Sequence, residues 1–425
     1  MTPPALTRRE LLRTGGTALA FGIAGCSDAD WTADQPDQSR DPVIPTTDPT
    51  PPVTERTLYV APDGRAGAAG SRAEPLDSLS DAMVAATPGT TVVLRGGTYD
   101  REQTVGARNV SGVDGAPIRI VPEYGEFPVF DFARSSTGGF RFSDCHWVEL
   151  HGVEIRRAPS RGLFVEDGSS HVVVQNVTVR DSGGDPDASG AGVFVLDSSA
   201  VTLSGVVSTG NYDPTSGGRN ADGIAVERSP GTLVEACVAA GNSDDGFDLW
   251  RSTDVTLRRC RAFDNGWTPD GSRGGDGNGF KLGGGGDSGD NRLEFCVAYG
   301  NRVRGFDDNG ATRRLTLYNC TAWNNPVNFR LGCRMTITSM PICPPHRLRN
   351  NASYRGRTAF SPLADSRANT WDLNIRDPMF ASLDPDDADF LRLTAESRAV
   401  DAGVDVGLPY HGARPDLGAF EYRAG

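Results

Sequence analysis

The sequence predicts an all-β fold, a parallel β-helix (solenoid) closed at its start by a short N-terminal capping helix. Three observations carry that prediction. A Gly-apolar-x-apolar unit recurs in steps of roughly 23 to 33 residues: "GLFV" at 162, "GVFV" at 192, "GIAV" at 223, "GFDL" at 246 and "GFKL" at 279, with weaker copies "GFDD" at 305 and "NFRL" at 328. Cys237, Cys260, Cys296 and Cys320 recur in similar short alternating segments, 23, 36 and 24 residues apart, each followed by an Asn-containing turn. The segments between are rich in Gly, Asn and Asp, residues that end strands. Short strands at such a period suit one coil of a solenoid, each strand pairing with its equivalent in the next coil. A β-propeller would need about 40 residues and four strands per blade, more than these repeats hold.

The elements follow in order. Residues 1–26 include "TRRELLRTGGTALAFGIAGC". Arg8-Arg9 resemble a twin-arginine export signal, and "IAGC" resembles a lipobox that would place a lipid on Cys26. The sequence therefore predicts an exported protein, a cell-surface lipoprotein or secreted, touching the membrane only through an N-terminal lipid anchor. Residues 27–56 are dominated by Pro, Asp and Thr, without an apolar period, and read as a disordered tether. Residues 57–425 form the predicted β-helix domain. Near its start, "LSDAMVAA" places Leu79, Ala82, Met83 and Ala86 on one helical face, which would cover the open strand edge. The cysteine column reads as an inward ladder of small buried thiols, because its spacing matches no zinc pattern. Cys333 and Cys343 flank a short loop and are candidates for a disulfide. "DLGAFEY" closes the domain.

Composition narrows the function. The formal net charge is −13 over 425 residues, and no basic patch stands out, which argues against a nucleic-acid partner. Of 42 basic residues only Lys281 is lysine. An ammonium can lose its proton where a guanidinium cannot, so a sole lysine between glycines is a candidate base or nucleophile.

Strand periodicity sends the third residue of each repeat unit outward, giving the column Phe164, Phe194, Ala225, Asp248, Lys281, Asp307, Arg330. The residues before each glycine form a second column, Asp222, Asp245, Asn278, Arg304. Strict alternation would turn these inward. A turn at each glycine, with backbone angles that glycine tolerates, would bring them out. Together with Asp244, this gathers Asp222, Asp244, Asp245 and Asp248 on neighbouring coils beside Lys281. Four carboxylates repel unless neutralised, and hard oxygen ligands on loops suit Ca²⁺.

At this point "NADGIAV", "NSDDGFDLW" and "GNGFKLGG" resemble the motifs of polysaccharide lyase family nine, pectate lyases with a right-handed parallel β-helix. The specific likeness covers roughly residues 220–310. It implies a calcium-dependent pectate lyase that cleaves polygalacturonate by β-elimination, with Asp222, Asp244, Asp245 and Asp248 as metal ligands and Lys281 as the base. An anionic substrate on an acidic protein needs local positive charge, and Arg304 and Arg330 on the next coils could grip uronate carboxylates. A basic lysine predicts an alkaline optimum. The protein is expected to be a monomer. Other readings are a lyase for another uronate polymer such as alginate, a polygalacturonase-like hydrolase using Asp244 and Asp245, and a surface β-helix that binds glycans without catalysis. The hydrolase family's Gly-His-Gly and Arg-Ile-Lys motifs are absent, and a hydrolase would leave Lys281 idle.

Overall fold

The computed structural model describes residues 56–183, 191–332 and 344–423. Cys26, the segments before Arg56, and the Cys333–Cys343 pair lie outside the described residues.

Three parallel sheets form the sides of a solenoid, one of 12 strands and two of 10. Apart from the first pair, Arg56–Val60 and Thr90–Leu94, the neighbour of each strand within a sheet is the one three positions further along the chain, so each following coil contributes one strand to each side. The first sheet opens with Arg56–Val60 and closes with Asp365–Arg367. The second runs from Val105–Arg108 to Arg357–Phe360, and the third from Gly97–Asp100 to Ala352–Tyr354. Most strands are only three to six residues long because each ends in a turn to the next side. Asn176, Ala236, Arg259, Phe295 and Asn319 hold a left-handed φ at equivalent turns.

The interior is built as ladders. Cys237, Cys260, Cys296 and Cys320 are fully buried, one step before the register pairs Val238↔Arg261, Arg261↔Val297 and Val297↔Thr321. On the second sheet Phe247, Phe280, Phe306 and Phe329 stack face to face at 4.8, 4.8 and 4.9 Å. These are the first apolar positions of the repeat units, and their stacking matches the strand spacing. At the corner between third and second sheets, an asparagine ladder supplies what apolar packing cannot. The amide of Asn211 donates to Asn242 Oδ1, Asn242 to Asn265, Asn265 to Asn301, and Asn301 to Asn325, at 2.7 to 3.0 Å. Each Oδ1 also accepts the backbone N–H of the preceding rung. Backbone groups that leave a sheet at a corner thus keep partners while buried.

Both ends are covered. The helix Leu79–Ala85 starts at Ser78, whose side chain accepts from Asp81 N, and buries Leu79, Ala82 and Met83 against the first coils. At the other end Trp371 packs on the last rungs of the second sheet, 4.7 Å from Phe360 and 5.1 Å from Phe329. The closing segment buries Leu417, Ala419 and Phe420, and Ala419 N donates to Thr321 Oγ1 at 2.8 Å. Phe420 packs in a cluster with Phe263, Tyr299 and Trp323 on the outside of the third sheet. Among the described residues no helix is long and apolar enough to cross a membrane.

Candidate active site

The outward column of the second sheet runs in the expected register: Phe164↔Phe194, Phe194↔Ala225, Ala225↔Asp248, Asp248↔Lys281, Lys281↔Asp307 and Asp307↔Arg330. The second column is also aligned. Gly223 N donates to Asp245 O and Gly246 N to Asn278 O, and Asn278 pairs with Arg304.

The glycines between these columns serve a purpose other than the expected turn. Gly223, Gly246 and Gly279 do not hold positive φ. They lie where a strand crosses close over the asparagine ladder. A Cβ on Gly246 would stand 2.6 Å from Gly279 O and 2.8 Å from Asn265 Nδ2, and one on Gly223 2.6 Å from Asn242 Nδ2. Close approach, not backbone angle, demands glycine here. Asp222 and Asp245 still reach the Lys281 site.

The site is a buried acid cluster around one amine. Asp222, Asp244, Asp245, Asp248 and Lys281 are each at most 8% exposed. Lys281 Nζ lies 3.1 Å from Asp245 Oδ2 and 3.0 Å from Asp248 Oδ2. A further acid, Asp276, stands 3.3 Å from Nζ and is largely exposed. Oxygens of Asp222, Asp244 and Asp245 all lie within 4.8 Å of one another. Three of the four expected acids form an oxygen cluster, and Asp248 together with Asp245 holds the amine. Backbone donors fix the carboxylates. Asn220 N donates to Asp244 Oδ2 at 2.7 Å, Asp245 N to Asp222 Oδ1 at 3.0 Å, and Asn278 N to Asp245 Oδ1 at 2.7 Å. Asp276 N donates to Asp244 Oδ1, tying the glycine-rich insertion to the cluster.

Burial raises the carboxyls of Asp222 and Asp245 well above the usual range, and the acids beside them push the same way. Burial also raises Asp244 and pushes Asp248 up to about 6, each against the pull of Lys281. On Lys281, burial lowers the ammonium, but the fields of Asp245, Asp248, Asp222 and Asp244 outweigh it and hold the proton above the ordinary lysine range. One ammonium cannot neutralise four buried carboxylates, and uncompensated buried charge is costly. Asp248 Oδ1 is buried and accepts no hydrogen bond, and the buried Asp245 Oδ2 has only the Lys281 ammonium, 3.1 Å away, to offset its charge. An all-oxygen trio with unsatisfied lone pairs fits a hard divalent cation such as Ca²⁺.

Arg304 and Arg330 border the cluster on the carboxy-terminal side. Both are occupied by Asp307, at 3.1 and 2.9 Å, and Arg304 also donates to Asn278 Oδ1 at 3.3 Å. Trp250 is exposed, with Nζ of Lys281 5.7 Å from its ring. Gly284 and Gly285 pass so close to this indole that a Cβ would fall 2.6 and 2.5 Å from it. The insertion after Lys281 is thereby docked on Trp250, and Arg251 Nε donates to Gly285 O at 3.0 Å.

Sequence reasoning missed Asp276. It sits in the non-repeating insertion, so no column pointed to it. The only signal was its place five residues before Lys281.

Residues 58–351 match the family described as Pel9A-like, right handed beta helix region. The chain is 34% identical over 404 residues to pectate lyase L of Dickeya dadantii, covering 87% of this chain and 91% of that protein. It is 30% identical over 368 residues to pectate lyase PEL9 of Emericella nidulans, covering 76% and 85%. Among solved structures it is similar to pectate lyase Pel9A, with TM-score 0.77 and 32% identity over 87% of this chain and 97% of that one. A rhamnogalacturonan lyase shares the fold, with TM-score 0.69 at 22% identity.

Proposed function

This chain belongs to the Pel9A-like right-handed β-helix family and is a polysaccharide lyase of the pectate lyase kind, and we propose that it cleaves polygalacturonate by calcium-dependent β-elimination with Lys281 as the base. The single observation behind this reading is the contact of the chain's only lysine with a buried oxygen cluster: Nζ lies 3.1 Å from Asp245, within the trio Asp222, Asp244 and Asp245.

Asp222, Asp244 and Asp245 would hold the calcium ion, with Asp248 beside them. The bound ion would supply Lewis-acid stabilisation to the uronate carboxylate as negative charge builds on it. Lys281 Nζ would take the proton from C5 of the uronate, after which the C4–O bond breaks, the departing oxygen takes a proton from water, and a C4=C5 double bond forms. The same carboxylates hold Lys281 protonated, so the amine is competent as a base only when their charge is compensated. That requirement supports an alkaline optimum. Asp276, at 3.3 Å, would help orient the amine from the solvent side. Arg304 and Arg330 would offer their remaining donors to neighbouring uronate carboxylates while Asp307 holds their planes in place. Export and lipid anchoring at Cys26 complete the proposal, placing the enzyme where polymeric pectate is met.

The test is incubation of the purified protein with polygalacturonate and Ca²⁺ while following ultraviolet absorbance of the unsaturated product. Expected is a steady rise that a chelator abolishes and added Ca²⁺ restores. New reducing ends without that absorbance would mean hydrolysis and overturn the reading. Turnover of alginate in place of polygalacturonate would move the substrate to another uronate polymer and leave the elimination in place.

A further inference from the structure

The face that carries Lys281 continues past the acid cluster toward the N-terminal end. Its outward column runs back through Ala225, Phe194 and Phe164 to Arg141. Its second column runs back through Ala191 to Arg161, since Gly192 N donates to Asp222 O and Arg161 pairs with Ala191. Phe164 and Phe194 are half-buried and stack at 5.4 Å with planes 10° apart. The Arg161 guanidinium lies 4.8 Å from one ring centroid and 5.1 Å from the other.

Arg161 differs from the other arginines of this face in what opposes it. Arg141 is paired with Glu166, and Arg304 and Arg330 are held by Asp307. Among the described residues Arg161 forms no ion pair with a carboxylate, although the chain carries 55 acids against 42 bases. Two aromatic rings hold it instead. Such rings fix the direction of a guanidinium without using its N–H donors. An arginine oriented by rings, half-buried, in ion-pair contact with no carboxylate among the described residues, and on the same strip as the acid cluster is arranged to receive an anion.

We propose that Arg161, Phe164 and Phe194 form a distal subsite that binds one uronate residue of the same polymer. Phe194 is three rungs from Lys281 and Phe164 four, by register. At the strand spacing of about 4.8 Å those are distances of roughly 14 and 19 Å, a span of a few sugar units. The uronate carboxylate takes the guanidinium N–H groups in a fork, and the apolar face of the sugar meets the exposed parts of the rings. The small Ala225, between Phe194 and Asp248, lets the chain pass from this subsite to the acid cluster. The acid cluster is then flanked by arginine on both sides, and an extended polyanion gains contacts along the axis. The inference rests on the lyase reading above, so its test has arms that separate the two.

The full chain would be compared with Arg161→Gln and Phe194→Ala, each checked by thermal unfolding. On long polygalacturonate the expected outcome is a KM raised about tenfold by Arg161→Gln, the equivalent of one lost charge-assisted contact, with kcat little changed. The rise should shrink on galacturonate oligomers too short to reach from Lys281 to Phe194. In parallel, binding of uncleaved polygalacturonate would be measured on the Lys281→Ala variant with and without Arg161→Gln. Activity in the wild type with KM and binding insensitive to both substitutions overturns the subsite and leaves the function standing. No cleavage of any uronate polymer, with binding that depends on Arg161, overturns the function and leaves the subsite. An equal loss of binding to a neutral polymer on Arg161→Gln would also count against it, since a neutral chain has no carboxylate for Arg161.

Discussion

The inner and outer faces of the same four strands make a useful contrast. Inside, Phe247, Phe280, Phe306 and Phe329 repeat one side chain, stacked at 4.8 to 4.9 Å. Outside, one residue along on the same strands, Asp248, Lys281, Asp307 and Arg330 never place the same residue on neighbouring rungs, and their charge alternates rung by rung. The inner identity sets register. The outer variety uses that register as a ruler on which to place chemistry. The neighbouring outer column does not alternate: Asp222 and Asp245 are like charges on adjacent coils, and that is where the excess of buried carboxylate accumulates. Lys281 leans toward this excess and leaves Asp307 to two arginines.

The largest expected effect breaks the outer face alone. Lys281→Arg keeps a cation among Asp245, Asp248 and Asp276 but cannot accept a proton. Activity should fall by about 10²–10⁴, the usual contribution of a positioned base, while the melting temperature stays near that of the wild type. Rates would be read from product absorbance at high enzyme concentration. A variant within tenfold of wild type would remove Lys281 as the base.

The next effect breaks the inner face. Phe280 is fully buried between two parallel rings on the strand that carries Lys281. Phe280→Ala should lower stability by about 3–5 kcal/mol, measured from denaturant midpoints, because the stacked rungs on either side cannot collapse into the gap. A drop under about 1 kcal/mol would mean that the strand ladder holds register without the ring stack.

This contrast also explains what the sequence could disclose. Features that repeat were legible: the cysteine ladder, the phenylalanine stack, and the outward column through Lys281 all follow from period and alternation. The capping helix was legible from its apolar face, Leu79, Ala82 and Met83. Features set by one coil meeting another were not. Asp276 reaches Lys281 from an insertion with no counterpart in other coils. Gly223 and Gly246 looked like turn residues, and only the asparagine amides behind them show that they make room. Arg161 lies two coils before the acid motifs, and the role proposed for it depends on two rings from neighbouring coils that no local pattern records.

The smallest of the three effects sharpens the contrast by titrating the outer face while the inner one stays constant. Burial raises the carboxyls of Asp222 and Asp245, and Asp248 to about 6. A carboxyl with a folded pKa above its unfolded value binds its proton more tightly when folded. Its contribution to stability is therefore full below the unfolded value, near 3.9, and is lost as pH rises through the folded one. Lys281 is shifted the other way in charge terms: its ammonium is stabilised by folding, and that contribution is constant below the ordinary lysine range. Chelated protein should thus lose stability from about pH 4 upward, with the share of Asp248 lost by about pH 6 and that of Asp222 and Asp245 continuing above it. Asp248→Asn should show a shallower loss between about pH 4 and about pH 6, the two proteins differing by on the order of 1–2 kcal/mol at neutral pH. Added Ca²⁺ should restore the wild type more than the variant. Melting curves in citrate-free buffers with and without Ca²⁺ would measure both. Parallel profiles for the two proteins would mean that Asp248 is ionised at little cost in the folded state, and that Lys281 alone is sufficient compensation for it.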